Sequence, residues 1–176
     1  NIEIRLDPGL AFGTGTHPTT ALCLRWLDGQ NIHAATVVDY GCGSGILGIA
    51  AALKGAARVI CVDHAPQALE PTADNAARNG VSSRVECHTP DTFKRPQADV
   101  VMANILAAPL ITLAPRLLDS LRPGGFLALS GILDIQADLV LAAYREGLSG
   151  FTIESEEDWV LLHGLRATAQ RDGRDE

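Results

Sequence analysis

Hydrophobic and polar positions follow two alternating patterns along the chain. Short, nearly continuous apolar runs recur, and segments with helical spacing separate them. Continuous apolar runs are typical of parallel strands, because helices cover both faces of such a sheet. The runs predict strands at Thr36–Tyr40, Arg58–Val62, Arg84–His88, Ala98–Ala103 and Phe126–Ser130.

The segments between the runs predict helices, the first of which takes Pro18 into its opening turn. The predicted helices lie at Ala21–Leu27, Ser44–Lys54, Glu70–Arg78, in two pieces within Ile105–Leu121, and from Asp134 to about Glu146. A helix that began at Pro66 would contain Pro71, which has no N–H to donate and clashes with the preceding turn. We therefore predict a turn at His64–Leu69 and place Pro71 in the first turn of the helix that follows.

The last strands are predicted at Phe151–Glu156 and Trp159–Thr168, and they are antiparallel because the turn between them is tight. Only about ten residues separate the third strand from the fourth, which is too few for a crossover helix. Alternating strands and helices predict an α/β fold. Specifically, we predict a Rossmann-like, seven-stranded, mostly parallel sheet with helices on both faces and a terminal antiparallel strand pair.

A glycine turn, Gly41–Gly45, connects the first strand to its helix. Glycine tolerates positive φ and lets a ligand lie directly against the backbone. The helix that follows directs its free N–H groups and its positive dipole end at whatever covers the turn. His88–Asp91, Asp63 and Asn104 also end predicted strands, so they should converge with the glycine turn on one crevice.

Two acids accompany the glycine turn. Asp63 ends the second strand, where a carboxylate can accept both hydroxyls of an adenosine ribose. Asp39 lies inside the end of the first strand. It either orients the glycine turn through backbone N–H groups, or meets a ligand cation, or is a structural carboxylate with satisfied hydrogen bonds.

NAD and S-adenosylmethionine both use a glycine turn and a ribose-binding acid. The dinucleotide pattern G-x-G-x-x-G is present at Gly43–Gly48, but it starts two residues late relative to the strand. Counted from Gly41, its third glycine position is Ile46. The acid before the first glycine, the terminal antiparallel pair and the Pro123–Gly125 turn favour the methyl donor.

Composition narrows the classes of partner. The chain has 176 residues, 47% of them hydrophobic, and a net charge of −7. It contains neither a Lys/Arg cluster longer than a pair nor an apolar run of membrane-spanning length, so we expect no nucleic acid and no membrane as partner, whereas a basic protein is compatible.

No C-x-x-C pair occurs among the four cysteines, and the five histidines lack ligand spacing, which predicts buried thiols, a reducing compartment and no metal. Because residue 1 is asparagine and no signal peptide is evident, we expect the chain to begin inside a longer protein.

The segment Leu10–Thr20 is rich in glycine and threonine and carries Phe12, Thr14 and His17. A Phe between small residues, and a His beside a helix start, indicate a lid or ligand loop rather than an ordinary helix entry. No residue stands out as a general base, and His17, the only histidine in this segment, is a weak candidate for that role.

The chain resembles the bacterial ribosomal protein L11 methyltransferases, which have the S-adenosylmethionine-dependent class I fold. The similarity extends from Leu6 to about Arg166, and the segment Leu6–Thr20 is its most diagnostic part. The other matching segments are Asp39–Leu47, Ala103–Ala107 and Leu129–Leu133.

This resemblance implies a cytoplasmic protein methyltransferase that transfers methyl groups from S-adenosylmethionine to lysine side-chain or N-terminal amines of ribosomal protein L11. The residues implied at the donor are Phe12, Thr14, His17, Thr20, Gly41, Gly43, Asp63 and Asn104. Asn104 is also the predicted catalytic residue, because its side chain, or the carbonyls of Asn104–Leu106, can hold the amine and aim its lone pair.

The resemblance also implies a division of the chain. Residues 1–20 form the end of a linker and a donor-covering loop, residues 21–168 the methyltransferase domain, and residues 169–176 a charged tail. The family has a separate N-terminal domain for substrate recognition, and this chain starts at the linker end of it. Where the family usually has Ile-Asp-Pro, the chain has His64-Ala65-Pro66, which removes one acid near the ribose; Pro71 is the second departure.

Three alternatives stay open. One is a methyltransferase of another protein or of a small molecule. The second is a nicotinamide-dependent oxidoreductase that uses the glycines of Gly43–Gly48. The third is a non-catalytic domain that binds the donor and serves only in assembly.

Overall fold

A single seven-stranded sheet organises the protein. The computed structural model describes residues 3–6 and 17–168. The sheet order is β3-β2-β1-β4-β5-β7-β6. The strands are β1 Thr36–Tyr40, β2 Arg58–Val62, β3 Val85–His88, β4 Ala98–Asn104, β5 Leu121–Leu133, β6 Leu148–Glu156 and β7 Trp159–Arg166.

Six α-helices are found in the described ranges. They are α1 Pro18–Asp28, α2 Ile46–Leu53, α3 Pro66–Arg78, α4 Ala107–Thr112, α5 Ala114–Asp119 and α6 Ala137–Tyr144. Single 3₁₀ turns lie at Ser82–Arg84, Asp134–Gln136 and Arg145–Gly147. The connection between β3 and β4 contains no helix, which confirms the predicted loop.

The sheet has the predicted fold class. Strands β1 to β5 are parallel, and β7 pairs antiparallel with both β5 and β6. Strand β1 lies between β2 and β4, so the strand order reverses there. Ligands of open α/β sheets bind at such a point, beyond the carboxyl ends of the strands.

Two apolar layers cover the sheet. Helices α1 to α3 pack on one face, where Val37 and Val59 are buried, and helices α4 to α6 pack on the other, where Val38 is buried. Successive residues of β1 therefore enter opposite layers, as the period of a strand requires. The predicted bounds of β1 and β2 are confirmed to the residue.

The prediction for the helix around Pro71 is wrong. Helix α3 begins at Pro66 and carries Pro71 in its interior. An interior proline costs about 3 kcal/mol in local terms. Two side chains of α3 fasten it to the glycine turn: Thr72 Oγ1 donates to the Gly43 carbonyl at 2.9 Å and Asn75 Nδ2 to the Ser44 carbonyl at 2.9 Å. These tertiary contacts offset the local penalty.

Candidate active site

A cavity of about 660 Å³ opens at the carboxyl ends of β1 and β4, where the strand order reverses. This volume lies in the range of small-molecule sites. Five of the residues predicted from the sequence line it, namely His17, Thr20, Gly41, Gly43 and Asn104. Phe12 and Thr14 lie outside the described residues, so their role stays a prediction.

The glycine turn has the left-handed backbone that its sequence predicts. Gly41, Gly43 and Gly45 have φ angles of 76°, 53° and 83°. A Cβ on Gly41 would overlap the side chain of Ile105, and one on Gly45 would lie 2.7 Å from Thr72 Cγ2. The turn therefore packs against Ile105 at Gly41, which also borders the cavity, and against α3 at Gly45.

Asp63 is hydrogen-bonded to the backbone of the glycine turn. Its Oδ2 accepts the Gly43 N–H at 3.1 Å, and its Oδ1 accepts the Ala65 N–H at 3.0 Å. A carboxylate has about four lone-pair sites, so the side chain keeps acceptor capacity for a hydroxyl. Asp63 is buried and lies outside the lining of the cavity. Its contact with a ribose stays a prediction.

Asp39 holds helix α2 rather than the N–H groups of the glycine turn. Its Oδ2 accepts the Gly48 N–H at 2.9 Å, and the residue is 1% exposed although it borders the cavity. Burial raises the pKa of its carboxyl from 3.8 to about 7; the Gly48 N–H opposes this rise and the negative Asp63 adds to it. Asp39 is thus a buried acid that titrates near neutrality.

This pKa predicts a pH-dependent stability that Asp39→Asn removes. The folded-state pKa lies above that of the unfolded chain, so Asp39 stabilises the fold most at low pH, and this contribution is lost as the pH rises from about 4 to about 7. The difference corresponds to about 4 kcal/mol. In urea unfolding, we expect Asp39→Asn to gain stability relative to the native chain by roughly this amount between pH 4.5 and pH 8.

The matched control is Asp74→Asn, because Asp74 is an exposed carboxylate on α3. Its stability relative to the native chain should stay constant over the same pH range. A constant difference for Asp39→Asn as well would show that burial does not raise this pKa.

His17 caps a helix. Its Nδ1 accepts from the Thr19 N–H at 3.3 Å and lies 2.8 Å from Thr19 Oγ1. Its ring packs edge-on against Trp159, with 5.0 Å between centroids. A neutral imidazole has one acceptor nitrogen, and the cap uses it. This geometry favours a wall of the cavity over a general base.

Asn104 and Thr20 come together from distant parts of the chain. Asn104 ends β4, and its Nδ2 donates to the buried Thr20 Oγ1 at 3.3 Å. Because Nδ2 is hydrogen-bonded to Thr20, the Oδ1 of Asn104 is the atom available to accept a hydrogen bond from a ligand in the cavity. This pairing brings the predicted amine-positioning residue to the same cavity as the glycine turn.

Sequence reasoning missed Gly131, Trp159 and Arg116, which also line the cavity. Gly131 has a φ of 85°, and a Cβ there would overlap the Ile105 carbonyl oxygen and lie 2.7 Å from its carbon. Its position at the end of a strand could have revealed it. Arg116 lies in α5, donates to the Pro90 carbonyl and covers the Phe93 ring at 5.7 Å, and no sequence signal marks it.

The cysteine, histidine and acidic side chains bear on whether the protein holds a disulfide or a metal ion. All four cysteines are free. Cys23, Cys42 and Cys61 are buried as predicted, whereas Cys87 is half-buried. Among the described residues, no cluster of three His, Cys, Asp or Glu side chains could hold a metal ion. No helix in the described ranges is long and apolar enough to cross a membrane.

The strand order, the antiparallel β7 and the glycine turn at the strand-order reversal define a Rossmann-like methyltransferase fold. A solved RNA methyltransferase from Salinibacter ruber, in complex with S-adenosyl-L-homocysteine, has this fold at a TM-score of 0.67 and 20% identity, over 91% of this chain and 99% of that one. The ribosomal protein L11 methylase structure from Lactobacillus delbrueckii subsp. bulgaricus reaches a TM-score of 0.85 at 33% identity, over 94% of this chain and 86% of that one.

The family model described as Ribosomal protein L11 methyltransferase (PrmA) matches residues 1–167, and the chain belongs to this family. The Ribosomal protein L11 methyltransferase of Marinobacter nauticus is 59% identical over 165 residues, which cover 93% of this chain and 55% of that protein. The corresponding protein of Hahella chejuensis is 54% identical, over 94% and 56%. The chain thus spans about half the length of the curated relatives it matches.

Proposed function

We propose that this chain is the S-adenosylmethionine-dependent catalytic domain of a protein methyltransferase that modifies amines of ribosomal protein L11. One observation carries the proposal: the glycine turn and Asn104 face the same cavity, in a chain of the L11 methyltransferase family. A ribosomal protein substrate would place the reaction in the cytoplasm. The residues assigned below to donor and amine are part of this proposal.

The cavity fits a nucleoside-type methyl donor. Gly41 and Gly43 line it with backbone that carries no side chain, and Asp63 accepts the Gly43 N–H. Thr20, Gly41, Gly43, Asp63 and Asn104 are the residues that would hold the donor, with His17 as a wall; Phe12 and Thr14, outside the described residues, are assigned to the donor by the family resemblance alone. When bound, S-adenosylmethionine supplies a sulfonium, which makes its methyl group electrophilic.

The residues of the chain must then position a neutral amine. A lysine amine costs about 4–5 kcal/mol to deprotonate at pH 7, because its ordinary pKa is near 10.4. Apolar walls such as Leu106 and Leu113 disfavour the ammonium form and so ease the loss of the proton to solvent. Alignment of the reacting groups can contribute about 7–11 kcal/mol.

Asn104 is the residue that we assign to this alignment. Its Nδ2 is tied to Thr20, so its Oδ1 can accept an amine N–H and direct the nitrogen lone pair into the cavity. The Ile105 carbonyl is a second candidate acceptor, and it packs against Gly131, where a Cβ would overlap its oxygen. No protein base is needed for this arrangement.

The geometry argues against the nicotinamide alternative. In the glycine pattern of Gly43–Gly48, Gly45 lies under Thr72, and a Cβ on Gly48 would lie 2.6 Å from Cys61 Sγ. Gly48 packs α2 on the sheet, which is the usual role of the third glycine, but the second glycine, Gly45, is covered by Thr72 where a pyrophosphate would have to approach. Gly41, which lines the cavity together with Gly43, lies outside this pattern.

A calorimetric titration with S-adenosylmethionine, and with NAD for comparison, tests the proposal. We expect micromolar binding of the methyl donor alone, and we expect Asp63→Ala to weaken it by about tenfold or more, since the variant releases the Gly43 N–H and removes an acceptor.

The matched control is Asp99→Ala at the opposite edge of the sheet. Asp99 also accepts a backbone N–H, from Thr36 at 2.8 Å, and pairs with Arg122. This variant should bind the donor like the native chain. Native chain that binds neither ligand, or that prefers NAD, would contradict the proposed function.

A further inference from the structure

The three most exposed large apolar side chains among the described residues all belong to the edge of the sheet where the cavity opens. Leu106 is 69% exposed, Ile135 86% and Leu139 67%, whereas the next, Phe151, reaches 44%. Contiguous exposed apolar side chains beside a ligand cavity are typical of interaction surfaces. They form one surface for the following reasons.

Their positions follow from the sheet. Leu106 comes two residues after β4 and lines the cavity itself. Asn104 at the end of β4 pairs with Ser130 of β5, and β5 continues to Leu133, so Leu106 and Ile135 each lie two residues beyond a strand that ends at the edge where the cavity opens. Leu139 lies in α6, four residues after Ile135, and both side chains are exposed. Helices α4 and α6 are held together by the Tyr144 hydroxyl, which donates to the Leu110 carbonyl at 2.6 Å.

Acidic side chains surround these apolar ones. Asp134 and Asp138 are exposed on either side of Ile135. The Asp134 N–H donates to the Asp158 carbonyl at 2.8 Å, which brings the acidic β6–β7 turn to the same edge. No lysine or arginine occurs from Gly131 to Tyr144. The surface therefore combines apolar contact with a local negative potential.

We propose that this rim surface, formed by Leu106, Asp134, Ile135, Asp138 and Leu139, docks the basic segment of the substrate protein that carries the methyl-accepting amine. The inference rests on the proposed function and adds how the substrate is held. Its carboxylates attract a lysine-bearing segment, and its apolar side chains bury the aliphatic stems and neighbouring apolar residues. The same carboxylates repel phosphate groups of nucleic acids and acidic lipids.

Site-specific photo-crosslinking tests the surface directly. A benzoylphenylalanine is placed in turn at Ile135 and at Leu139, and for control at Ile153, an exposed apolar position on the outer strand β6. With purified ribosomal protein L11 and S-adenosylmethionine present, we expect adducts from the two rim positions and background from Ile153. Equal yields at all positions, or no adduct from the rim, would overturn the inference.

Kinetics of methyl transfer to L11 supply the second readout. We expect Ile135→Ser combined with Leu139→Ser, and separately Asp134→Asn with Asp138→Asn, to raise KM for L11 by about tenfold and leave the affinity for S-adenosylmethionine unchanged. Ile153→Ser and Asp74→Asn are the matched controls and should leave KM unchanged. Unchanged KM in the rim variants would reject the surface.

These outcomes distinguish failure of the rim surface from failure of the proposed function. If the native chain binds the donor and methylates L11, and the rim variants do so with the same KM, the proposed function is supported and the rim surface is rejected. If the native chain fails to bind the donor, both are rejected. A dimer in solution that the Ile135→Ser, Leu139→Ser variant dissociates would assign the surface to a second copy of the chain and overturn the inference.

Discussion

Gly131→Ala is expected to abolish donor binding and to lower the free energy of unfolding by about 2–4 kcal/mol. Gly131 has a φ of 85°, and a new Cβ would overlap the Ile105 carbonyl. The neighbour is backbone, so no change of side-chain rotamer can relieve the overlap. The peptide between Ile105 and Leu106 must move, and with it the wall of the cavity. Calorimetric titration with S-adenosylmethionine and urea unfolding measure the two effects.

Gly80→Ala separates this overlap from backbone strain. Gly80 also has a left-handed φ, of 70°, but a Cβ there would meet nothing within 4 Å. It should cost about 1 kcal/mol in stability and leave donor binding intact. If both variants lose the same stability and keep the donor, the contact between Gly131 and Ile105 does not shape the cavity.

Asn104→Ala is expected to reduce kcat by about 10²–10³ while the donor dissociation constant changes by less than about fivefold. The reason is the division of roles at this side chain: Nδ2 is bound to Thr20, and Oδ1 is available to position the amine. Loss of Oδ1 removes an interaction made when the amine is aligned. Single-turnover transfer to L11 at saturating donor, together with a donor titration, measures the two constants.

Two further variants show whether the effect belongs to Asn104 itself. Thr20→Val frees Nδ2 and should reduce kcat less than Asn104→Ala, because Oδ1 is still present but less well oriented. Asn79→Ala removes a distant amide that donates to the Arg5 carbonyl at 2.7 Å, and it should leave kcat unchanged. Near-native turnover in Asn104→Ala would assign the positioning of the amine to another group.

Local pattern was sufficient for the elements whose environment is uniform. β1 and β2 are buried after their first residue and, apart from Asp39, their buried residues are apolar or aromatic, so their bounds could be predicted directly from the chain. The left-handed glycines of the turn were also predictable, since only glycine adopts such backbone without strain. The rule that ligand residues follow strand ends placed Gly41 and Asn104 near one cavity only because the parallel order was also predicted, whereas Thr20 was implied by the family resemblance alone.

Tertiary contacts decided what local pattern could not. α3 runs through Pro71 because Thr72 and Asn75 bind the glycine turn, a gain that no local rule contains. Asp39 was left open among three roles, and burial together with the Gly48 N–H assigned it to helix α2. Gly131 was overlooked because the reason that it must be glycine is its contact with Ile105, which follows the end of the neighbouring strand.

The sequence by itself determined the class of fold, the family and the position of the glycine turn, because these depend on periodicity and on residues adjacent in the chain. Only the tertiary structure decided which carboxylate accepts which N–H, which glycines line the cavity, and that Leu106 and Ile135 are exposed. Each of these depends on the distance between residues far apart in sequence, which is set by how the helices pack on the sheet.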